Sequence, residues 1–277
     1  MLSRLIRHEW KETWRIPVIS FIVIIFLTLV CFICFRQMEP PVDEDSINAG
    51  AFVIMMLYCL LISSISMVVT IYIAIRFYKN LYTDEGYLMH TLPVTPRQLI
   101  LSKLLVAALW VFVLSILALW AICCILLFGL PAMTPVDMSV VMPVLMEIFP
   151  QIFGMGPVAF LLFYTVLSLV SAFSSVLIAY AAVSLGQLFS RHKIMASILC
   201  YIGFTMLVQT ATTALMTPSL TRLVLSQDMV NETSQIPSYF GAYMREILLI
   251  SMAGSVICAV ISYILTEYIM RRQLNLD

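Results

Sequence analysis

Charge is what this sequence has least of. Its 277 residues hold 15 Lys or Arg and 15 Asp or Glu, 11% together, against 62% hydrophobic residues. Soluble domains carry about a quarter charged residues, and mean hydropathy here is +1.03. The shortage excludes an ordinary soluble domain and leaves an integral membrane protein. Formal net charge is zero, so only the distribution of charge can inform about partners, and no nucleic-acid partner is expected. Catalytic signatures are missing as well. None of the nine Gly is followed by Lys, so there is no phosphate-cradling loop, and any ATP must bind another chain. His8, His90 and His192 form no H-E-x-x-H pattern, and no nucleophile elbow is present. The chain is therefore expected to be neither an enzyme nor a metal protein.

Seven cysteines are present, at 31, 34, 59, 123, 124, 200 and 258, all within or at the ends of apolar runs. They read as small buried hydrophobes, with no disulfide expected. No short apolar core followed by small residues marks a cleavable signal, so the first apolar run is expected to be retained as a span.

Long apolar runs are what the chain does have. A helical span needs about 20 apolar residues, and six segments qualify, at about 17–35, 51–75, 99–128, 157–189, 194–216 and 247–270. The runs are continuous rather than alternating. Backbone groups in lipid must be satisfied internally, so the expected fold is an all-α membrane protein with six transmembrane helices. One transmembrane domain covers 1–277.

Basic residues set the orientation. Arg4, Arg7, Lys11 and Arg15 precede the first span; Arg76, Lys79, Arg97 and Lys103 follow the second; Arg191, Lys193, Arg271 and Arg272 complete one side. Only Arg36, Arg222 and Arg245 fall on the other. The positive-inside rule places both termini in the cytoplasm of a multi-pass cell-membrane protein. Residues 217–246 then form an extracellular loop. The fourth run, about 33 residues and roughly 50 Å as a helix, exceeds a hydrocarbon core of about 30 Å. It must tilt, project or bend, and its mid-run serines are where a bend is expected.

Three segments carry candidate function. Residues 1–15 form an amphipathic interfacial helix, with Leu2, Leu5, Ile6, Trp10 and Trp14 on one face and Arg4, Arg7, His8, Lys11 and Arg15 on the other. It is either a topology anchor or a lateral lever. The polar interruption at 76–98 is a cytoplasmic elbow. Thr83, Asp84 and Glu85 suit the start of a short helix. Tyr87, Leu88, His90 and Leu92 follow, and Pro93 ends it. Thr95, Pro96 and Gln98 fit a capping box that starts the third span inside the elbow. The short helix either packs on neighbouring helix ends or seats in a protein groove. Third come polar faces within spans: Ser63, Ser66 and Thr70; Ser168, Ser171 and Ser175; Thr205, Gln209 and Thr212. These line a translocation surface or hydrogen-bond neighbouring helices. No charge lies near mid-span, which argues against an ion-coupled carrier.

The segment YTDEGYLMHTLPVTPRQLILSKLL resembles the first cytoplasmic elbow of ABC-2 type ABC transporter permeases, in their compact, Firmicutes-like form. The six-span layout is similar over the whole chain. The resemblance implies an ATP-driven exporter whose ATP and magnesium sit on separate ABC ATPase subunits. It implies that 83–92 is the coupling helix and that the permease pairs with a second copy or a paralogue. It also implies gating segments within 217–245. Members export lipids, drugs or antimicrobial peptides, so an amphiphilic substrate and contact with membrane lipid are expected. A non-transporting membrane sensor or adaptor, relaying ligand binding through the same elbow, is the alternative.

Overall fold

The computed structural model describes residues 2–37, 49–82, 96–129, 138–189, 192–229 and 236–272. Among these every secondary-structure element is helical. Helix α1 (Leu2–Thr13) breaks at Trp14 and leads into α2 (Arg15–Gln37). Then come α3 (Ala49–Tyr82), α4 (Pro96–Cys124) with a π-helical end at Ile125–Gly129, and α5 (Met138–Phe153). The chain closes with α6 (Pro157–Gly186), α7 (Lys193–Met229) and α8 (Ile236–Arg272). Six of these, α2, α3, α4, α6, α7 and α8, are long and apolar enough to cross a membrane.

The outer surface of these six helices is itself apolar. Ile22, Phe26, Phe52, Met56, Leu161, Leu199, Leu207 and Ile264 are all exposed. Water would not tolerate so much contiguous hydrocarbon on a monomer, whereas acyl chains would.

Helix α6 is the axis of the bundle, packing on α3, α4, α5, α7 and α8. Its second half is buried nearly all round, from Val176 through Ser184. Ala179, Ala181, Ala182, Ser184 and Gly186 explain why: small side chains let neighbouring backbones close in. Gly186 shows the limit. A Cβ built there would meet the Ser197 backbone nitrogen at 2.6 Å and its Cα at 2.7 Å, so α6 and α7 touch through backbone at their shared turn.

Helices α2, α3 and α4 form the other half, with α1 laid across α4 and the start of α2. The core between them holds Phe35, Tyr58, Val69, Phe77, Ile100, Leu114 and Ile125. At the far end α5 packs on α8. Gly154, in the left-handed region at φ 67°, lies against Gly241, where a Cβ would come within 2.6 Å of the Gly241 carbonyl oxygen.

Several boundaries differ from the sequence reading, for one reason. A helix does not stop where its side chains turn polar, because its hydrogen bonds are internal. Helix α3 continues through Arg76 to Tyr82, taking seven residues from the expected elbow. Helix α7 runs on to Met229 with Pro218 inside it, and α8 starts at Ile236, so most of the expected 217–246 loop is helix. Helix α6 runs without interruption through Ser168, Ser171, Ser174 and Ser175 and ends at Gly186, three residues before the expected Phe189. At about 1.5 Å per residue, the 34 residues of α3 make roughly 51 Å, well beyond a 30 Å hydrocarbon core.

Candidate functional site

The elbow's core lies outside the described residues. That includes the predicted docking residues Thr83, Asp84, Glu85, Tyr87, Leu88, His90 and Leu92, and the expected cap at Thr95. Its two roots are described, and they are held firmly. Helix α3 enters at Tyr82 and α4 leaves at Pro96.

On the α3 side, the Tyr82 hydroxyl donates to Ser184 Oγ at 3.0 Å. One turn below, the Phe77 ring stacks on Tyr180 with centroids 3.8 Å apart and planes 12° apart. Phe77 also presents its edge to Tyr82 at 6.2 Å. Leu81 is wholly buried. One aromatic stack and one hydrogen bond thus join the last two turns of α3 to the central helix α6, with the Phe77–Tyr82 contact bracing the two rings within α3.

On the α4 side, Arg97 Nε donates to Glu267 Oε1 at 2.5 Å, joining α4 to the end of α8. Leu99, Ile100 and Ser102 are buried, and the Ser102 hydroxyl bonds back to the Leu99 carbonyl.

Between the two roots sits a cluster of four charges. Glu9 of α1 accepts from Lys103 Nζ on α4 through Oε1. Through Oε2 it accepts from Arg76 on α3 at 3.3 Å. The same guanidinium nitrogen donates to Glu12 Oε2, and Arg76 Nη1 reaches the Tyr72 hydroxyl at 3.4 Å. Two acids against two bases leave no net charge. The side chains of Glu9 and Lys103 are only 6% and 4% exposed. Burial of either ion alone would cost several kcal/mol, so each depends on the other being present. Beside the cluster, the buried Thr13 hydroxyl donates to the Glu9 backbone carbonyl one turn back on α1 at 2.7 Å.

A cavity of about 20 Å³ opens beside the cluster, bordered by Glu9, Thr13, Arg76, Phe77, Lys103 and Tyr180. It has room for about one water molecule. Arg76 Nε is buried there without a hydrogen-bond partner among the described residues, a donor that such a water would satisfy.

Among residues 5–13 of helix α1 the buried positions are Glu9 and Thr13, with Leu5 and Ile6 half-buried, while Trp10 and the following Trp14 are 39% and 46% exposed on the bundle surface. Trp10 still contributes, stacking on Trp110 of α4 with centroids 4.6 Å apart. Arg7, His8, Lys11 and Arg15 are on the outer side, as the pattern requires. Glu9 escaped the sequence reading because an acid amid bases on an amphipathic helix looks solvated. The available signal was Lys103, a cation inside the apolar run LILSKLLVAAL that requires a counter-charge somewhere.

The three expected polar faces behave differently from one another. In α3, Ser63 and Ser66 are exposed; the Ser63 hydroxyl bonds to the Leu60 carbonyl and Thr70 to the Ser66 carbonyl. In α6, Ser168 is buried and bonds to Thr165, and Ser175 bonds to Ala172. Ser171 meets Ser255 of α8 at 3.3 Å, an interhelical contact of the adhesive kind. In α7, Thr205 and Thr212 are half-buried and bond back along their own helix, while Gln209 is exposed. Of the nine, only Ser171 has a hydroxyl bonded to another helix's side chain.

No family model, curated protein or solved structure matches this chain.

Proposed function

We propose that this protein is the membrane permease of an ATP-driven exporter, with its ATPase on a separate chain docked against residues 83–92. The observation that carries the reading is the way the elbow is mounted. Helices α3 and α4 run as unbroken rods up to Tyr82 and from Pro96. That leaves a connection of only 13 residues, 83–95. Both roots are fastened to the bundle, by Tyr82 to Ser184 and by Arg97 to Glu267. A push delivered at such an elbow reaches long helices whose near ends are packed on the bundle. Shear of packed rods is a standard means of passing a displacement across a bundle.

The basic residues Arg76, Lys79, Arg97 and Lys103 beside the elbow favour its cytoplasmic placement under the positive-inside rule. An apolar bundle with scattered hydroxyls suits an amphiphilic cargo such as a lipid, a drug or an antimicrobial peptide. Two permeases, identical or paralogous, complete the assembly. Co-purification tests the reading. A chain bearing a phosphate-binding loop should accompany the full-length protein from its native membrane. It should be lost on Leu88→Asp, with insertion of the permease unaffected. Transport that persists with a catalytically dead ATPase rules the pump out.

A further inference from the structure

We infer that α1 is a charge-stapled clamp across the two helices that enter the elbow, with Glu9 as the staple. It is then a working part of the bundle rather than a helix resting on the lipid surface. The inference stands whether or not an ATPase docks on the elbow, because it concerns only how α1 is held.

The argument begins with which elements meet at one carboxylate. Oε1 of Glu9 takes Lys103 of α4 and Oε2 takes Arg76 of α3. One side chain thus bridges the two helices on either side of residues 83–95. Glu9 is buried although it lies on a helix whose other polar residues are mostly outward. A mere surface anchor would gain nothing from turning its carboxylate inward, since an ion on the lipid interface is better left in water. The opposite placement is favourable only if Glu9 neutralises the two cations that α3 and α4 carry inside the bundle.

A second feature follows from Arg76, whose Nη2 contacts both Glu9 Oε2 and Glu12 Oε2. Glu12 lies three residues further along α1, about 4.5 Å in rise, and is half exposed. The guanidinium therefore has a second seat at the rim of the cluster. A sliding of α3 along α1 toward Glu12 keeps Arg76 paired, while a separation of α3 from α4 strips a charge from Glu9. The clamp is compliant to one motion and resists the other.

Hydrogen exchange by mass spectrometry on the full-length protein in lipid nanodiscs tests this. Amides of α1 should be protected in the wild type. In Glu9→Gln they should exchange at least about tenfold faster, while α6 keeps its protection and so shows that the bundle is intact. Removing the buried Lys103 charge that faced Glu9 as well, in Glu9→Gln/Lys103→Met, should return part of the lost protection. Unchanged α1 protection in Glu9→Gln overturns the inference, as does a double variant no better than the single one. If Glu9→Gln fails to accumulate in the membrane, accumulation becomes the readout: recovery by Lys103→Met supports the clamp and no recovery refutes it. Glu12→Gln should leave α1 protection within about twofold of wild type, because Glu9 still holds both cations.

Discussion

Gly186→Ala perturbs the closest backbone approach at the elbow end of the bundle. An added Cβ would lie 2.6 Å from Ser197 N and 2.7 Å from Ser197 Cα, where ordinary contact begins at 3.4 Å. Ser197 Oγ, at 1.9 Å from the same point, can turn only by leaving the Lys193 carbonyl, which it meets at 2.9 Å. Backbone atoms cannot turn at all, so α7 must retreat from α6 by about 0.7–0.8 Å. Overpacking of that size costs roughly 1–3 kcal/mol. The helix gains up to about 1 kcal/mol from replacing Gly by Ala. A control glycine that makes the same helix gain without the clash isolates the overpacking, so Gly186→Ala should lie about 1–3 kcal/mol below it, at roughly 2–4 °C in thermal midpoint per kcal/mol for a chain of this size. Gly203→Ala and Gly254→Ala are the controls, since nothing lies within 4 Å of a Cβ at either position; both should hold or raise the midpoint. Thermal denaturation of the three variants in one detergent, followed by circular dichroism, reads the difference. A Gly186→Ala midpoint equal to that of Gly254→Ala would refute the reasoning. The effect also bears on the elbow, because Ser184, two residues before, holds Tyr82.

Other outcomes follow from the same geometry. Phe77→Ala removes a ring that is 1% exposed and stacked on Tyr180; it should cost about 3–5 kcal/mol by cavity formation, measured by the same denaturation. Tyr82→Phe deletes only the hydroxyl bond to Ser184 and should cost about 1 kcal/mol, with faster exchange confined to the last turn of α3. Gly154→Ala meets both a positive φ and the Gly241 carbonyl oxygen at 2.6 Å, so α5 should lose exchange protection while α6 keeps it. Cysteine placed at 85 should be labelled only from the cytosol, and cysteine at 232 only from outside; the reverse pattern would invert the proposed orientation.

The six spanning helices were legible in the sequence because lipid leaves an apolar run few alternatives. Their ends were not legible, since internal hydrogen bonds carry α3 past Arg76 and α7 past Thr217, where composition alone signals a loop. In α1 the helix itself could be read from its periodicity, but its buried face could not. Amphipathic logic turns Trp toward lipid and charge toward water. In the fold, Arg76 and Lys103 supply counter-charges from 67 and 94 residues away, and the carboxylate of Glu9 goes in. The polar span faces illustrate the converse. Their spacing places them on helix faces, and in α7 the Thr205 and Thr212 hydroxyls bond back to their own helix's carbonyls, which spacing alone does not reveal.

Site-specific photocrosslinking from Leu88 in the native membrane tests the central claim most directly. The account predicts that the crosslinked partner carries a phosphate-binding loop, that it hydrolyses ATP, and that the crosslink weakens when Asp84→Lys is introduced. A crosslink confined to this chain's own helix ends, unchanged by Asp84→Lys, would mean that the elbow packs on itself and that the proposed coupling is wrong.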